Sequence, residues 1–168
     1  MGLVRLPFTE YKNYQKLIND LTDDVAYTYD IQHAIAPAGY FRSLRFPELY
    51  MEHCIFLPYI NNEKNFNQKY KDRMTSLKFL MAIKYLKDEV VIPKESAHFG
   101  YFADKTETTI INMEDTMQYK QDLYGLKTLN ESGRLTMIDC DATHVKPTYQ
   151  WCVENLIPWL NPDKVKDL

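Results

Sequence analysis

The run LKFLMAIKYLKDEVVIPKESAHFGYF, residues 77–102, holds the pattern that decides the fold. Its apolar part, FLMAIKYL, has the length of a strand, carries a single lysine and is apolar on both faces, as a buried parallel strand is. It ends in an acid, Asp88, then passes through Val90, Val91, Ile92 and Pro93 to His98, Phe99 and Tyr101. Downstream, MEDTMQYKQDLYGLKTLNESG predicts helical turns ending at Gly133, LTMIDC a second short strand, and TYQWCVENLIPWL a last amphipathic helix with Trp151 and Trp159. Strand, helical crossover, strand, helix is the order of an α/β fold.

Working toward the N-terminus, the pattern turns helical. Asn67 to Leu77 predicts one helix, and CIFLPYINNE a short extended segment followed by a turn. The stretch YTYDIQHAIAPAGYFRSL begins as a helix that Pro37 and Gly39 break before an aromatic patch at Tyr40 and Phe41. In YKNYQKLINDL, Tyr11, Tyr14, Leu17, Ile18 and Leu21 recur at three- and four-residue intervals and make one apolar stripe. Nothing in residues 1–76 resembles several further strands. A parallel pair needs both faces and both edges covered, so this one implies a partner polypeptide or a longer chain.

Composition narrows the function classes. The chain has 168 residues, 45% hydrophobic and 14% aromatic, enough for a sizeable core. Lysine and arginine number 20 against 23 acids, a net charge of -3 with no long basic run, so neither nucleic acid nor an anionic membrane surface is an expected partner. No apolar stretch approaches the roughly 20 residues of a transmembrane helix, and MGLVRLPFTEYK lacks the apolar centre of a secretory signal. Cys54, Cys140 and Cys152 have no C-x-x-C spacing and read as free thiols. His33, His53 and His98 lack metal-ligand spacing, and no cofactor is implied.

The chemistry is expected at the strand ends, where loops of an open α/β sheet converge. Asp88 follows the first strand and His144 lies just beyond the second. In a parallel pair they would share one edge, where a carboxylate can hold an imidazole in one tautomer and stabilise its protonated form.

Several ordered motifs resemble one family. The segment 77–102, then NMEDTMQYKQDLYGLK, then the terminal helix ending LIPWL, are similar to the C-terminal half of the lysosomal palmitoyl-protein thioesterases, members of the α/β-hydrolase superfamily. QHAIAPAGYFRSLRFPELYMEHCIFLPYINNEKNFNQKY resembles the insertion between that family's sixth and seventh core strands, which helps form the acyl groove. The resemblance runs from about Leu3 to Leu160. It implies a partial α/β-hydrolase fold: residues 1–76 a mostly helical insertion, 77–160 the last two core strands with their crossover helices, and 161–168 a tail. It matches Asp88 to the catalytic acid and His144 to the catalytic histidine of a hydrolase of long-chain acyl thioesters. It also makes Ile35, Tyr40, Phe41, Ile55, Phe56 and Leu57 candidates to line an acyl channel, and points to the lysosome, with any signal peptide upstream of Met1.

Departures from the family pattern are equally specific. The serine nucleophile of that family sits in a G-x-S-x-G elbow, and none of Gly2, Gly39, Gly100, Gly125 or Gly133 brackets a serine in that way. GLVRLP resembles the segment after the sixth strand, which places the elbow upstream of Met1 in a missing N-terminal half, or on another subunit that covers the strand edges. The family's cysteine pair after G-L-P is absent, its tryptophan before F-G is His98, and the residue before the catalytic histidine is Thr143 where the family has an acid. Of its sequons only that of Asn130, in NES, is formed. Cys140, four residues before His144, is a weak alternative nucleophile. The alternative functions are a catalytically inactive remnant serving as a structural or interaction subunit, and an acyl-binding module that does not cleave.

Overall fold

The computed structural model describes residues 25–160. The helix expected over 11–21 and the tail at 161–168 lie outside them. The first part is helical: α1 (Tyr29–Ala34), a 3₁₀ turn (Ala36–Tyr40), α2 (Pro47–His53), α3 (Leu57–Ile60) and α4 (Gln68–Thr75). The second part begins with β1 (Leu80–Tyr85), a 3₁₀ turn (Lys94–His98) and a two-residue hairpin of β2 (Tyr101–Phe102) and β3 (Ile110–Ile111). A 3₁₀ turn (Met113–Asp115), α5 (Met117–Lys120), α6 (Leu126–Glu131), β4 (Leu135–Cys140) and α7 (Tyr149–Asn155) follow, closed by a 3₁₀ turn (Ile157–Leu160).

β1 and β4 are parallel, with Leu80 opposite Leu135 and Tyr85 opposite Cys140. The ladder overruns both strands, since the Leu86 amide donates to Cys140 O at 2.9 Å and the Lys87 amide to Ala142 O at 3.1 Å. This overrun holds the two strand-end loops side by side and so positions the site.

Helix ends follow their local chemistry. Asn67, Thr116 and Thr148 each accept a backbone N–H at the start of α4, α5 and α7, as N-cap residues do. For α6 the N-cap is Gly125, whose φ of 89° only glycine adopts without strain. The missing cap is supplied from upstream: Asp122 accepts the Lys127 and Thr128 amides and the Thr128 hydroxyl.

Two apolar clusters form the core. Ala26, Tyr27, Phe41, Tyr50, Cys54 and Leu57 pack in the helical part, and Ala82, Phe99, Met113, Tyr119 and Leu126 pack beneath the parallel strands. Buried polar groups bind the parts together. Gln32 donates to Ala26 O and Ala38 O and accepts the Ile55 amide, tying three segments. Asn62 donates to Leu123 O at 2.8 Å, and the Tyr101 hydroxyl to Arg42 O at 2.8 Å, both across the two parts.

Three expectations change. CIFLPYINNE holds the helical turn α3 where an extended segment was expected: Pro58 sits in its first turn, where a missing N–H costs nothing, and Leu57 anchors it in the core. The strand pair is less buried than its apolar sequence suggests, for Ala82 and Cys140 are the only fully buried residues of β1 and β4 and Met137 is 39% exposed. Ala82 packs on the crossover residues Phe99, Met113, Tyr119 and Leu126, and the ring of Phe79, just before β1, stacks on that of Trp159 in the C-terminal turn, centroids 4.5 Å apart. The hairpin of β2 and β3 was not expected, because two-residue strands carry no alternation to read.

Candidate active site

Asp88 follows β1 at the first strand end, and its amide closes a turn onto Tyr85 O at 3.2 Å. Its carboxylate is doubly held. Oδ1 accepts the Val90 amide at 2.8 Å and the Val91 amide at 2.9 Å, the turn an aspartate favours when its side chain mimics backbone. Oδ2 meets Nδ1 of His144 at 2.9 Å. The Asp88 side chain is 4% exposed and that of His144 41%, so a buried carboxyl group backs a ring that is partly open to solvent.

His144 is delivered by a tight loop beyond β4. The Ala142 amide turns back on Cys140 O at 2.8 Å and the Lys146 amide on Thr143 O at 3.1 Å. Val145 between them has a φ of 51°, a left-handed conformation costly for a β-branched side chain. An open recess of about 320 Å³ lies at the ring, lined by Lys87, Glu89, Val90, Thr143, His144 and Lys146.

A carboxylate on Nδ1 places the ring proton there and leaves Nε2 as a proton acceptor. The arrangement can therefore act as a general base backed by an acid. Residues that support it went unnoticed in the sequence. The amides of Val90 and Val91 act through the backbone, Lys94 Nζ donates to Leu86 O at 2.9 Å across the acid loop, and Lys87 pairs with Asp141 at 2.8 Å. Only the position of Asp88 before a turn carried any signal for the first of these.

The acyl-channel candidates separate by exposure. Phe41 and Leu57 are 2% and 3% exposed and belong to the helical core, where packing alone accounts for them. Tyr40, Ile55 and Phe56 lie at the surface, with the Tyr40 and Phe56 rings 5.0 Å apart, and Ile35 is half-buried. None of the six lines the recess at His144.

All three cysteines are free thiols; Cys54 and Cys140 are buried and Cys152 is half-buried. Burial pushes the Cys140 thiol up, away from the thiolate a nucleophile needs. His98 pins its turn to β4, with Nε2 3.1 Å from Ile138 O. Among the described residues no group of three or more His, Cys, Asp or Glu could hold a metal ion, and no helix is long and apolar enough to cross a membrane.

The family model for palmitoyl protein thioesterase matches residues 1–144. Palmitoyl-protein thioesterase 1 of Caenorhabditis elegans is 38% identical over 140 residues, covering 83% of this chain and 47% of its own length. Palmitoyl-protein thioesterase 3 of Dictyostelium discoideum is 33% identical over 76% of this chain and 44% of its own. Human lysosomal thioesterase PPT2 is 32% identical over 73% of this chain and 42% of its own. The chain thus spans about half the length of the curated relatives it matches.

Proposed function

The chain belongs to the palmitoyl protein thioesterase family, and from that premise we propose that it contributes the acid and the histidine of a serine hydrolase of long-chain fatty acyl thioesters. The observation that carries the reading is the 2.9 Å hydrogen bond between His144 Nδ1 and Asp88 Oδ2. With the Nδ1 proton donated to the carboxylate, Nε2 takes the serine proton as the hydroxyl attacks the thioester carbonyl. It returns that proton to the departing thiol. Asp88, fixed by the Val90 and Val91 amides, stabilises the imidazolium formed between the two steps. A second passage with water in place of serine releases the fatty acid.

The sequence contains no G-x-S-x-G elbow, so the serine comes from outside these 168 residues, on a missing N-terminal half or another subunit. The same polypeptide covers the open edges of β1 and β4, which then serve as the last two core strands of an α/β-hydrolase. In this reading residues 1–76 are the acyl-groove insertion, 77–160 the end of the core and 161–168 a tail. The exposed Tyr40, Ile55 and Phe56 and the half-buried Ile35 lie along the acyl chain, whose burial stabilises by ~0.8 kcal/mol per CH₂. The name of the human relative supports the lysosome as the place of work.

The test is hydrolysis of a palmitoyl thioester by the chain assembled with an elbow-bearing N-terminal half. The expected result is turnover that His144→Ala lowers by roughly 10³-fold or more. Unchanged turnover in that variant removes His144 from the mechanism. The missing elbow also favours a second reading, a catalytically inactive remnant acting as a structural or interaction subunit. Assembly with the N-terminal half without turnover would decide for it.

A further inference from the structure

The loops that carry Asp88 and His144 are joined by a side-chain clasp next to the acid. Lys87 Nζ lies 2.8 Å from Oδ1 and 2.9 Å from Oδ2 of Asp141, so the ammonium sits between both carboxylate oxygens. Lys87 immediately precedes Asp88, and Asp141 stands three residues before His144. The backbone ties the same two segments, the Leu86 amide to Cys140 O and the Lys87 amide to Ala142 O. Among the described residues no backbone bond joins the two loops beyond Lys87 and Ala142. From there on, the side chains of Lys87 and Asp88 carry the connection.

The clasp is open to water, its two side chains 61% and 70% exposed, so it contributes little to the stability of the fold. Its consequence is geometric. Hydrogen bonds weaken steeply with misalignment, and the 2.9 Å bond from His144 Nδ1 to Asp88 Oδ2 spans two loops that the clasp holds in register. That bond also sets the tautomer. A neutral imidazole released from the carboxylate shares its proton between Nδ1 and Nε2, and a ring with the proton on Nε2 is no longer a base at that atom. Lys87 and Asp141 could act on the ring merely as charges, but reversing one and then the other would then shift it in opposite senses. A clasp answers to both reversals in the same sense.

We propose that Lys87 and Asp141 are positioning residues that hold the acid loop against the histidine loop and thereby keep the His144 proton on Nδ1. Their effect on turnover rests on the thioesterase reading above; their effect on the tautomer does not. The test is nitrogen NMR of isotope-labelled histidine in the full chain as purified, with the ring neutral and His144 assigned by the loss of its signals in His144→Ala. The Nδ1–H form should dominate. Lys87→Asp and Asp141→Lys, which set like charges face to face, should each lower the ratio of Nδ1–H to Nε2–H by about two- to fivefold, the span an exposed ion pair supplies. Combining the two reversals should restore it. Where a reversal fails to fold, Lys87→Met or Asp141→Asn replaces it and should lower the ratio as well. In the chain assembled with an elbow-bearing N-terminal half, kcat should follow the same order with KM unchanged. An unmoved ratio in the single variants, shifts of opposite sign, or no recovery in the double variant would each overturn the clasp. The expected tautomer pattern without turnover in the assembled native protein would instead overturn the thioesterase reading and leave the clasp standing.

Discussion

At the scale of single residues, Glu63 is a carboxylate buried to 4% exposure. Its carboxylate is compensated by Arg42, the Tyr50 hydroxyl and the Gln118 amide. Burial, then the Glu63 charge, push the Tyr50 phenol well above its ordinary range, so it remains a donor to that carboxylate at every working pH. Arg42→Met leaves a buried anion without its counter-charge and should destabilise by about 3–5 kcal/mol, read as a lower denaturation midpoint in urea. A loss under about 1 kcal/mol would mean that the two neutral donors suffice. The network left no trace in the sequence, because Arg42 and Glu63 are 21 positions apart in segments without shared periodicity. Asp88 and His144 were legible because each stands at a strand end, a position that carries meaning before any contact is known.

Among the elements, α6 shows how a loop sets a helix. Gly125, at its N-cap, has a φ of 89°, and a Cβ there would stand 2.5 Å from Thr75 Cγ2 and 3.3 Å from Lys71 O of α4. Gly133, after α6, has a φ of 70° and open space around it. Gly133→Ala should therefore cost only the left-handed backbone strain, about 1–2 kcal/mol, and Gly125→Ala clearly more, since α4 must move as well. Equal losses in thermal melts would refute the close packing of α4 on α6. Asp122 caps the same helix. Burial pushes its carboxyl up, but hydrogen bonds from Thr128 and Lys71, with the Lys71 charge, outweigh that and hold it below the ordinary value. A folded carboxyl held low contributes stability that is present above the unfolded value, near ~3.9, and is lost as pH falls through the folded one. The stability difference between the native chain and Asp122→Asn should thus shrink from roughly pH 5 to pH 3. A constant difference would show that the cap works without its charge. Helix and strand positions in the second part followed from periodicity and caps. The turn α3 did not, since a four-residue helix is too short to show a period.

For the molecule as a whole, the consequence lies in the two-stranded sheet. Among the described residues β1 pairs only with β4 and β4 only with β1, while Leu77, Leu86 and Met137 remain more than a third exposed. Parallel pairs are stable when both faces and edges are covered. The chain expressed alone should therefore self-associate or melt over a broad range, and sedimentation with thermal unfolding would test this. A monodisperse monomer with one sharp transition would contradict it. The sequence by itself determined the α/β order, the parallel pairing implied by a long crossover, and the two strand ends that carry Asp88 and His144, because periodicity, caps and breakers are local properties of the chain. Tertiary structure alone decided that Phe41 and Leu57 pack in the core while Tyr40, Ile55 and Phe56 face outward. It alone joined Arg42 to Glu63 and set His144 Nδ1 2.9 Å from Asp88. Each of those outcomes depends on which distant segments meet, and that is settled by packing the whole chain at once.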